Sequence, residues 1–218
     1  IRMDIDAIRQ FIIERKITCC SFTTSLGTLV LQTYPDLPLN YMVVSGEKMP
    51  PIGDLRIQLW NFYGPTECTV DCVTYLVKPR KNYSDVPIGR TVNNLIAFVM
   101  DSSYHILPKG TKGELCIAGP QLALGYYNNP GLTAERFTNI TVAGKVVKIY
   151  KTGDLCRWNA EGQLEYIGRI DNQVKLRGFR IELGEIESVA LQVEGVQQSV
   201  AIVRNEQIVL YYTGDVTL

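Results

Sequence analysis

The spacing of apolar residues in the first part of the chain predicts helices that alternate with short strands. Asp4 stands where it can cap a helix that carries apolar residues along one face: Ile5, Ile8, Phe11 and Ile12. Apolar, β-branched runs predict a short helix at 25–32 and strands at 18–22, 41–44, 57–62 and 72–77. Strands that alternate with helices indicate a mainly parallel sheet, so we expect residues 1–89 to be an α/β unit.

The pattern changes after residue 89, where short apolar runs follow one another closely. They predict strands at 95–100, 114–117, 146–150 and 163–167, interrupted by one helix near 132–137. Closely spaced strands of this kind are typical of antiparallel sheets and barrels. We therefore expect residues 90–170 to form a β-barrel-like part of the same molecule.

A third pattern fills residues 171–218. A charged turn leads into a predicted helix at 182–193, and two strands follow at 199–203 and 208–212. This region is too short to be a complete α+β domain, and the chain opens at Ile1 directly in a helical pattern. We expect the sequence to be a piece of a longer protein, of fold class α/β.

Composition narrows the class of protein. The 218 residues carry 22 basic and 22 acidic side chains and are 46% hydrophobic, which is typical of a globular chain of one or two domains. The sequence shows no apolar run of about 18 residues, no secretory leader and no basic cluster. We expect a cytoplasmic protein that binds neither membranes nor nucleic acid.

Cysteine and histidine usage argues against two kinds of site. The six cysteines form no C-x-x-C pair, so we expect buried free thiols rather than zinc ligands or disulfides. The single histidine, His105, lies in a turn-like segment and is expected on the surface. A serine or cysteine nucleophile activated by histidine is therefore disfavoured.

Residues 61–67 form the first chemically suggestive motif. A predicted strand ends there and presents an aromatic ring at Tyr63, close backbone approach at Asn61 and Gly64, and a carboxylate at Glu67. These groups suit a nucleotide with a hard cation such as Mg²⁺. The alternative is an ordinary turn with a solvated glutamate.

Two further motifs lie downstream. In residues 150–154 a predicted strand ends at a glycine turn that presents Asp154, whose two oxygens are spaced to accept the hydroxyls of a ribose; a commonplace turn aspartate is the alternative. Residues 168–182 bring four cations and two glycines to the junction with the terminal region. This motif is either a hinge or an ordinary solvated face.

In this order and at these separations, the three motifs, together with residues 113–120 and 125–127, resemble the core motifs of amino-acid adenylation domains of nonribosomal peptide synthetases. These domains belong to the adenylate-forming superfamily, with acyl-CoA synthetases and luciferases. The resemblance implies ATP-dependent activation of an amino acid as aminoacyl-AMP, with release of pyrophosphate. Transfer to the phosphopantetheine thiol of a peptidyl carrier protein follows, with a condensation domain as a further partner.

The resemblance also implies residue roles. Glu67 becomes the Mg²⁺ ligand, Thr66 a phosphate contact, Asp171 the hinge of a mobile C-terminal subdomain, and Lys175 and Gly178 members of a loop that swings to the active site. Around the nucleotide it places Gly46, Glu47, Asn61, Tyr63, Gly64, Asp154, Tyr166 and Arg169. A phosphate-binding loop and a C-terminal catalytic lysine of the family are missing from this sequence, so we expect it to be catalytically incomplete alone.

The family's substrate-pocket positions fall on Ser25, Val43, Ser45, Phe62, Val70 and Asp71. A ring at Phe62 is expected to shorten the pocket, and Asp71 to accept a hydrogen bond, which favours serine. If Phe62 turns aside, Asp71 pairs instead with arginine or ornithine.

Two other functions stay open at this point. One is a stand-alone ligase of the superfamily that acts on D-alanine, an aryl acid or a fatty acid. The other is a degenerate adenylation fold that binds carrier or condensation domains. Intact Glu67, Asp154 and Asp171 argue against the second.

Overall fold

The structure is a computed structural model that describes residues 4–53, 55–78, 83, 85–176, 178–205 and 207–215. Both termini, Ile1 and Leu218, lie outside these residues, and so does Arg177 of the third motif. In the described ranges, no helix combines the length and the apolar character that crossing a membrane requires.

Two helices support the first sheet. Helix α1 (Ile5–Glu14) begins at Asp4, whose carboxylate accepts hydrogen bonds from the amides of Asp6 and Ala7 at 3.0 and 3.1 Å, as the sequence predicts. On its apolar face Ile12 is buried, whereas Phe11 is 54% exposed. Helix α2 (Thr24–Thr33) packs beside the sheet and buries several apolar side chains in the same core.

The first sheet has strands in sequence order: β1 (Cys19–Thr23), β2 (Tyr41–Ser45), β3 (Gln58–Tyr63), β4 (Val73–Val77) and β5 (Arg90–Thr91). The first three strands run parallel, as predicted, but β4 and β5 pair antiparallel. A short 3₁₀ turn (Thr66–Cys68) joins β3 to β4, and this link is too short for the crossover that a parallel neighbour needs.

The strands of the second sheet are β6 (Ile96–Met100), β7 (Gly113–Ala118), β8 (Phe137–Val142), β9 (Lys145–Trp158) and β10 (Leu164–Arg169). The sheet is antiparallel throughout its described pairs and has the order β10–β9–β7–β6, with β8 paired to β9. It is open over these residues rather than closed into a barrel. Helix α3 (Pro130–Arg136) leads directly into β8.

Strand β9 differs from the sequence prediction. The sequence predicts a strand that ends at a glycine turn in residues 150–154, but β9 continues to Trp158. Gly153 has a φ of 71° inside the strand, and the pairing register with β7 shifts between Glu114 and Cys116. The glycine therefore marks a bulge, which turns the following residue, Asp154, toward the molecular interior.

The C-terminal region starts with a hairpin where the sequence predicts a charged turn. Strands β11 (Gln173–Leu176) and β12 (Phe179–Glu182) pair antiparallel, and helix α4 (Leu183–Ala190) follows. Strands β13 (Val196–Arg204) and β14 (Gln207–Gly214) form a second antiparallel pair. The architecture confirms the predicted α/β class; the division at residues 89 and 170 stays a prediction.

The two large sheets share one hydrophobic core. Tyr63 and Val73 from the first sheet pack with Leu115, Tyr150 and Leu164 from the second. All six cysteines are free thiols, and four of them are buried as predicted; Cys19 is exposed and Cys20 half-buried at the edge strand β1. His105 is exposed, also as predicted. Tyr63 at the end of β3 and Asp154 within β9 therefore meet at a seam between the two sheets.

Candidate active site

Asp154 lies at this seam, immediately after the bulge in β9, and is 2% exposed. One carboxylate oxygen accepts a hydrogen bond from Arg169 Nη1 at 2.8 Å, and the other accepts from the hydroxyl of Tyr63. Arg169 is its cross-strand neighbour on β10, and Tyr63 ends β3. Three strands thus fix the direction of a single buried carboxylate.

Arg169 also holds the residue predicted to be the hinge. Its Nε and Nη2 donate to the two oxygens of Asp171 at 2.8 and 2.6 Å, and Nη1 also donates to the carbonyl of Thr152 at 2.7 Å. Burial alone raises the pKa of Asp171, but the bonds and charge of Arg169 outweigh it and the pKa lies below its ordinary value. One guanidinium therefore bridges Asp154 and Asp171.

Lys175 lies over a pair of tyrosine rings beside Asp154. Its Nζ is 5.1 Å from the centre of the Tyr63 ring and 5.9 Å from that of Tyr166, and the two rings are 6.5 Å apart. Burial lowers the pKa of Lys175, although the charge of Asp154 acts in the opposite direction. Burial and the charge of Asp154 raise the pKa of Tyr63 well above its usual range. The site places a cation against two aromatic faces.

Glu67 lies in the 3₁₀ turn after β3 and is already paired. Its Oε1 accepts from the Tyr126 hydroxyl at 2.6 Å, and Arg180 Nη1 donates to Oε1 and Oε2 at 3.2 and 2.9 Å. Burial alone raises the pKa of Glu67, but the bond from Tyr126, a backbone bond and the charge of Arg180 outweigh it, so the pKa is lowered. Glu67 is thus an ionised carboxylate that faces the C-terminal hairpin.

The Glu47 carboxylate also contacts that hairpin. Its Oε1 accepts from the amide of Gly178 at 2.9 Å, and its Oε2 accepts from the amide of Ser25 at the start of α2 at 3.1 Å. A Cβ built on Gly46 would lie 3.6 Å from the Cα of Gly178. The turn between β11 and β12 therefore rests on the segment after β2.

Two cavities meet at Thr66 and Arg180. The first, of about 120 Å³, is lined by Thr66, Asp154, Arg169, Lys175 and Gly178, among others. The second, of about 410 Å³, is bounded by Glu67, Tyr126 and Arg136, also among others. The predicted catalytic residues therefore line two adjoining cavities: Thr66 lines both, Arg169 and Lys175 line the first, and Glu67 lines the second. Gly178 lines the first cavity as well.

Other predicted residues lie less directly in the site. Asn61 is 2% exposed and its Nδ2 donates to the carbonyl of Pro87 at 2.9 Å, so its amide is committed to the protein backbone. Gly64 abuts the Val70–Asp71 backbone so closely that a Cβ there would lie 1.8 Å from the Val70 carbonyl oxygen. Both residues shape the strand end, and their predicted approach to a base stays a prediction.

The six predicted pocket residues have mixed positions. Val43 and Ser45 on β2 lie opposite Trp60 and Phe62 on β3 and share a half-buried face of the sheet. Phe62 lines a narrow cavity of about 20 Å³ with Asn61, Tyr63 and Tyr166, among others. Val70 is 61% exposed, and burial raises the pKa of Asp71. No ion pair of Asp71 occurs among the residues that the structure describes.

The sequence analysis gave no role to three functional candidates: Tyr126, which lies in the 125–127 motif, Arg180, and Arg136, which lies in none of the motifs. Tyr126 and Arg180 lie 59 and 113 residues from Glu67 in the chain, so only folding brings them to it. Arg136 Nη2 lies 3.7 Å from Asp171 Oδ2. The motif at 168–182 includes Arg180, and its concentration of cations was the available signal.

Comparison with known proteins decides the family. Residues 1–127 match the AMP-binding enzyme family. The chain belongs to this family. Relatives of the chain include tyrocidine synthase 1 of Brevibacillus parabrevis, 40% identical over 94% of the chain, and gramicidin S synthase 2 of Brevibacillus brevis, 37% identical over 92%. The chain spans 19% and 5% of the lengths of these two relatives.

Solved structures of AMP-binding enzymes agree with the fold. Holo-PA1221, an NRPS protein with adenylation and PCP domains bound to a vinylsulfonamide inhibitor, matches 98% of the chain with a TM-score of 0.88 and 28% identity. NpsA-ThdA, an artificially fused adenylation–PCP didomain from Klebsiella oxytoca, matches 97% with a TM-score of 0.81 and 26% identity. The chain covers 40% and 42% of those structures. The predicted resemblance to peptide synthetase adenylation domains is thereby confirmed.

Proposed function

We propose that this chain forms part of an amino-acid adenylating ligase. The intact protein makes aminoacyl-AMP from ATP and an amino acid, releases pyrophosphate, and passes the aminoacyl group to the phosphopantetheine thiol of a carrier protein. The observation that carries the proposal is the 120 Å³ cavity where Asp154, Arg169, Lys175 and Thr66 converge. It combines a ribose-type acceptor with the cations that a phosphate needs.

Each group has a role that its chemistry supports. Asp154 keeps free lone pairs beyond the bonds from Arg169 and Tyr63, and these suit the two hydroxyls of a ribose. Thr66 offers a hydroxyl, and Arg169 and Lys175 offer positive charge, to the phosphate that is attacked. Tyr63, Tyr166 and the Gly46–Glu47 backbone would flank the base and ribose. Pyrophosphate departure needs positive charge rather than a protein nucleophile.

Glu67 is the residue that fits a magnesium ion. Among the described residues no group of three or more acidic, cysteine or histidine side chains surrounds one point, so Glu67 would supply one protein ligand, and water or substrate phosphates would supply the others. Mg²⁺ is commonly bound by one or two carboxylates together with substrate phosphates, and an ionised Glu67 meets that need. When bound, the ion would neutralise charge on the leaving pyrophosphate. Glu67 and the neighbouring Thr66 hydroxyl would hold it.

The hairpin contacts support a role in the transfer half-reaction. Gly178 rests against Glu47, and Lys175 reaches the tyrosine pair, so strands β11 and β12 line the proposed nucleotide site. Both strands follow Asp171, which we propose as the hinge. The structural neighbour holo-PA1221, which contains adenylation and PCP domains, favours a carrier protein as the acceptor. A condensation domain is the expected further partner in a modular synthetase.

The intact site also bears on the other two functions. A fold retained only for binding has no need of the buried Tyr63–Asp154–Arg169 network, which disfavours a degenerate module. The peptide synthetase relatives favour an amino acid over the substrates of a stand-alone acyl or aryl ligase.

The amino acid that we propose is serine, with arginine as the alternative. Phe62 lines the narrow cavity beside Tyr63 and packs edge-on against Trp60, with ring centres 6.2 Å apart, which supports a shortened pocket. Asp71 is partly desolvated and has no described ion pair, so it suits a substrate donor. A hydroxyl and a cation are both such donors.

Amino-acid-dependent exchange of labelled pyrophosphate into ATP tests the activity. We expect exchange by the full-length natural protein only with its own amino acid. Glu67→Ala and Asp154→Ala should each lower it by at least about 10²-fold, because metal or ribose contacts are lost. Wild-type exchange in both variants would show that the site is wrongly assigned.

The same assay with serine, alanine, leucine and arginine tests the substrate. We expect serine to exchange best, with alanine weaker because it leaves the Asp71 acceptor unsatisfied. Arginine in first place would mean that Asp71 is a counter-ion and that Phe62 does not close the pocket.

A further inference from the structure

Arg180 forms the long-range ion pair that joins the C-terminal hairpin to Glu67. Its Nη1 lies 2.9 Å from Oε2 and 3.2 Å from Oε1. The side chains of Arg180 and Glu67 are 31% and 11% exposed, so Glu67 is largely shielded from water and Arg180 is partly open to it. The Tyr126 hydroxyl also donates to Oε1, at 2.6 Å. Together these donors occupy the carboxylate that the proposed function assigns to Mg²⁺.

One partner in this pair is fixed and the other travels with the hairpin. Glu67 is anchored in the core, because its carbonyl accepts from the amide of Ala123 at 2.8 Å and the next residue, Cys68, is fully buried. Arg180 lies on β12, which follows Asp171 in the chain. Rotation about Asp171 would therefore carry Arg180 away from Glu67.

The hairpin presents the guanidinium in a set direction. Gln173, 4% exposed on the paired strand β11, accepts from Arg180 Nε at 2.6 Å, and its own amide donates to Glu182. With Nε held in this way, Nη1 is aimed at Glu67. A second contact, from the amide of Gly178 to Glu47, holds the hairpin turn without involving Glu67.

We propose that Arg180 is a positioning residue that takes the place of Mg²⁺ on Glu67, so that hairpin docking and metal binding at Glu67 exclude each other. The inference rests on the proposed function for the identity of the metal ligand. A guanidinium and a divalent cation both compensate the carboxylate charge, but they cannot occupy the same oxygens. Docking of the hairpin then follows departure of the metal with pyrophosphate, which orders the two half-reactions.

Hydrogen exchange of the hairpin, measured by mass spectrometry on the full-length natural protein, tests this exclusion without nucleotide. We expect millimolar MgCl₂ alone to accelerate amide exchange in a peptide that covers residues 172–183. Glu67→Gln and Arg180→Ala should each exchange faster without metal and should no longer respond to it. The double variant should exchange no faster than either single one, because both substitutions remove the same contact.

Direct metal binding provides a second measurement, with Mn²⁺ as the probe and its free concentration read by electron paramagnetic resonance. Arg180→Ala should bind Mn²⁺ about 5- to 10-fold more tightly than the wild type, and Arg180→Lys should lie between them. The control is Arg157→Ala, which breaks a similar pair on the second sheet, where Arg157 Nε lies 2.8 Å from Glu165. Its Mn²⁺ affinity should equal that of the wild type.

Several results would overturn the proposal. They are hairpin exchange that ignores Mg²⁺ in the wild type, an unchanged or weaker Mn²⁺ affinity in Arg180→Ala, or an equal loss of adenylation and transfer in that variant. Failure of the proposed function has a different signature: no amino acid supports pyrophosphate exchange, while Arg180 and Mn²⁺ still compete for Glu67.

Discussion

Tyr63 combines a buried ring with a hydroxyl that donates to the Asp154 carboxylate. Hydrogen bonds to charged groups contribute about 1.5–3 kcal/mol. We expect Tyr63→Phe to lower the free energy of unfolding by about this amount and to weaken ATP binding, because Asp154 loses a donor that orients it. Denaturant unfolding and nucleotide titration measure the two effects.

Tyr75→Phe is the matched control. Tyr75 is buried on the neighbouring strand β4, but its hydroxyl faces the neutral hydroxyl of Tyr83 at 3.1 Å. We expect its loss to cost only about 0.5–1.5 kcal/mol and to leave nucleotide affinity unchanged. Equal effects of the two substitutions would mean that the charge of Asp154 contributes nothing to the Tyr63 bond.

Single residues could be predicted where a motif concentrates unusual chemistry at one strand end. Tyr63, Asp154 and Glu67 stand in such motifs, and the structure brings all three to one seam. Arg180 and Tyr126 also lie in motifs, but their contact with Glu67 could not be predicted, because Glu67 is 113 and 59 residues away in the chain. The sequence alone does not distinguish an arginine that is solvated from one that pairs with a distant glutamate, as Arg180 does with Glu67.

The β11–β12 hairpin depends on a glycine at its turn. Gly178 has a φ of 81°, and a Cβ there would lie 2.7 Å from Thr23 Cγ2. We expect Gly178→Ala to hinder docking of the hairpin, and so to slow aminoacyl transfer at least about tenfold while pyrophosphate exchange changes little. Exchange and single-turnover loading of the carrier protein measure the two half-reactions.

Gly184→Ala provides a comparison in the adjoining helix. Gly184 lies in α4, and a Cβ on it would meet nothing within 4 Å. That variant should perform both half-reactions as the wild type does. A Gly178→Ala protein that loads its carrier normally would show that the turn does not have to rest on the core during transfer.

Secondary structure was predictable where apolar periodicity is strong, as in α1, β2 and β3. Strand β8 was missed because Phe137–Val142 carries polar residues between its apolar ones and follows α3 without a break. The sequence predicts a turn in place of the bulge in β9 because a positive-φ glycine serves in both, and only the pairing with β7 separates them. The hairpin β11–β12 was not predicted, because its charged residues interrupt the alternation of apolar and polar positions that indicates strands.

At the scale of the whole molecule, ion pairs around the candidate site, such as Arg169–Asp171, make stability depend on pH. The pKa of Asp171 lies below its ordinary value of 3.8, chiefly because Arg169 opposes the effect of burial. The unfolded chain therefore binds the proton more readily than the folded one. The stabilisation is complete above the unfolded value and is lost as the pH falls through the folded value.

Asp171→Asn removes this contribution. We expect its melting temperature to lie below that of the wild type at pH 7, and the difference to stay nearly constant down to about pH 5. Below pH 3.8 the difference should shrink, because the wild type then loses the same charge. Thermal unfolding across this range is the measurement, and a difference that does not vary with pH would contradict the role of the ion pair.

Arg169 holds Asp154 with one nitrogen and Asp171 with two others. A ligand that draws Asp154 away from Arg169 would weaken their hydrogen bond and change how strongly Arg169 binds Asp171. The free energy of rotation about Asp171 would then change as well. Thermodynamic linkage is reciprocal, so the angle at Asp171 must alter affinity for that ligand by the same factor. We therefore expect nucleotide binding at Asp154 and the orientation of the C-terminal region to influence each other through Arg169.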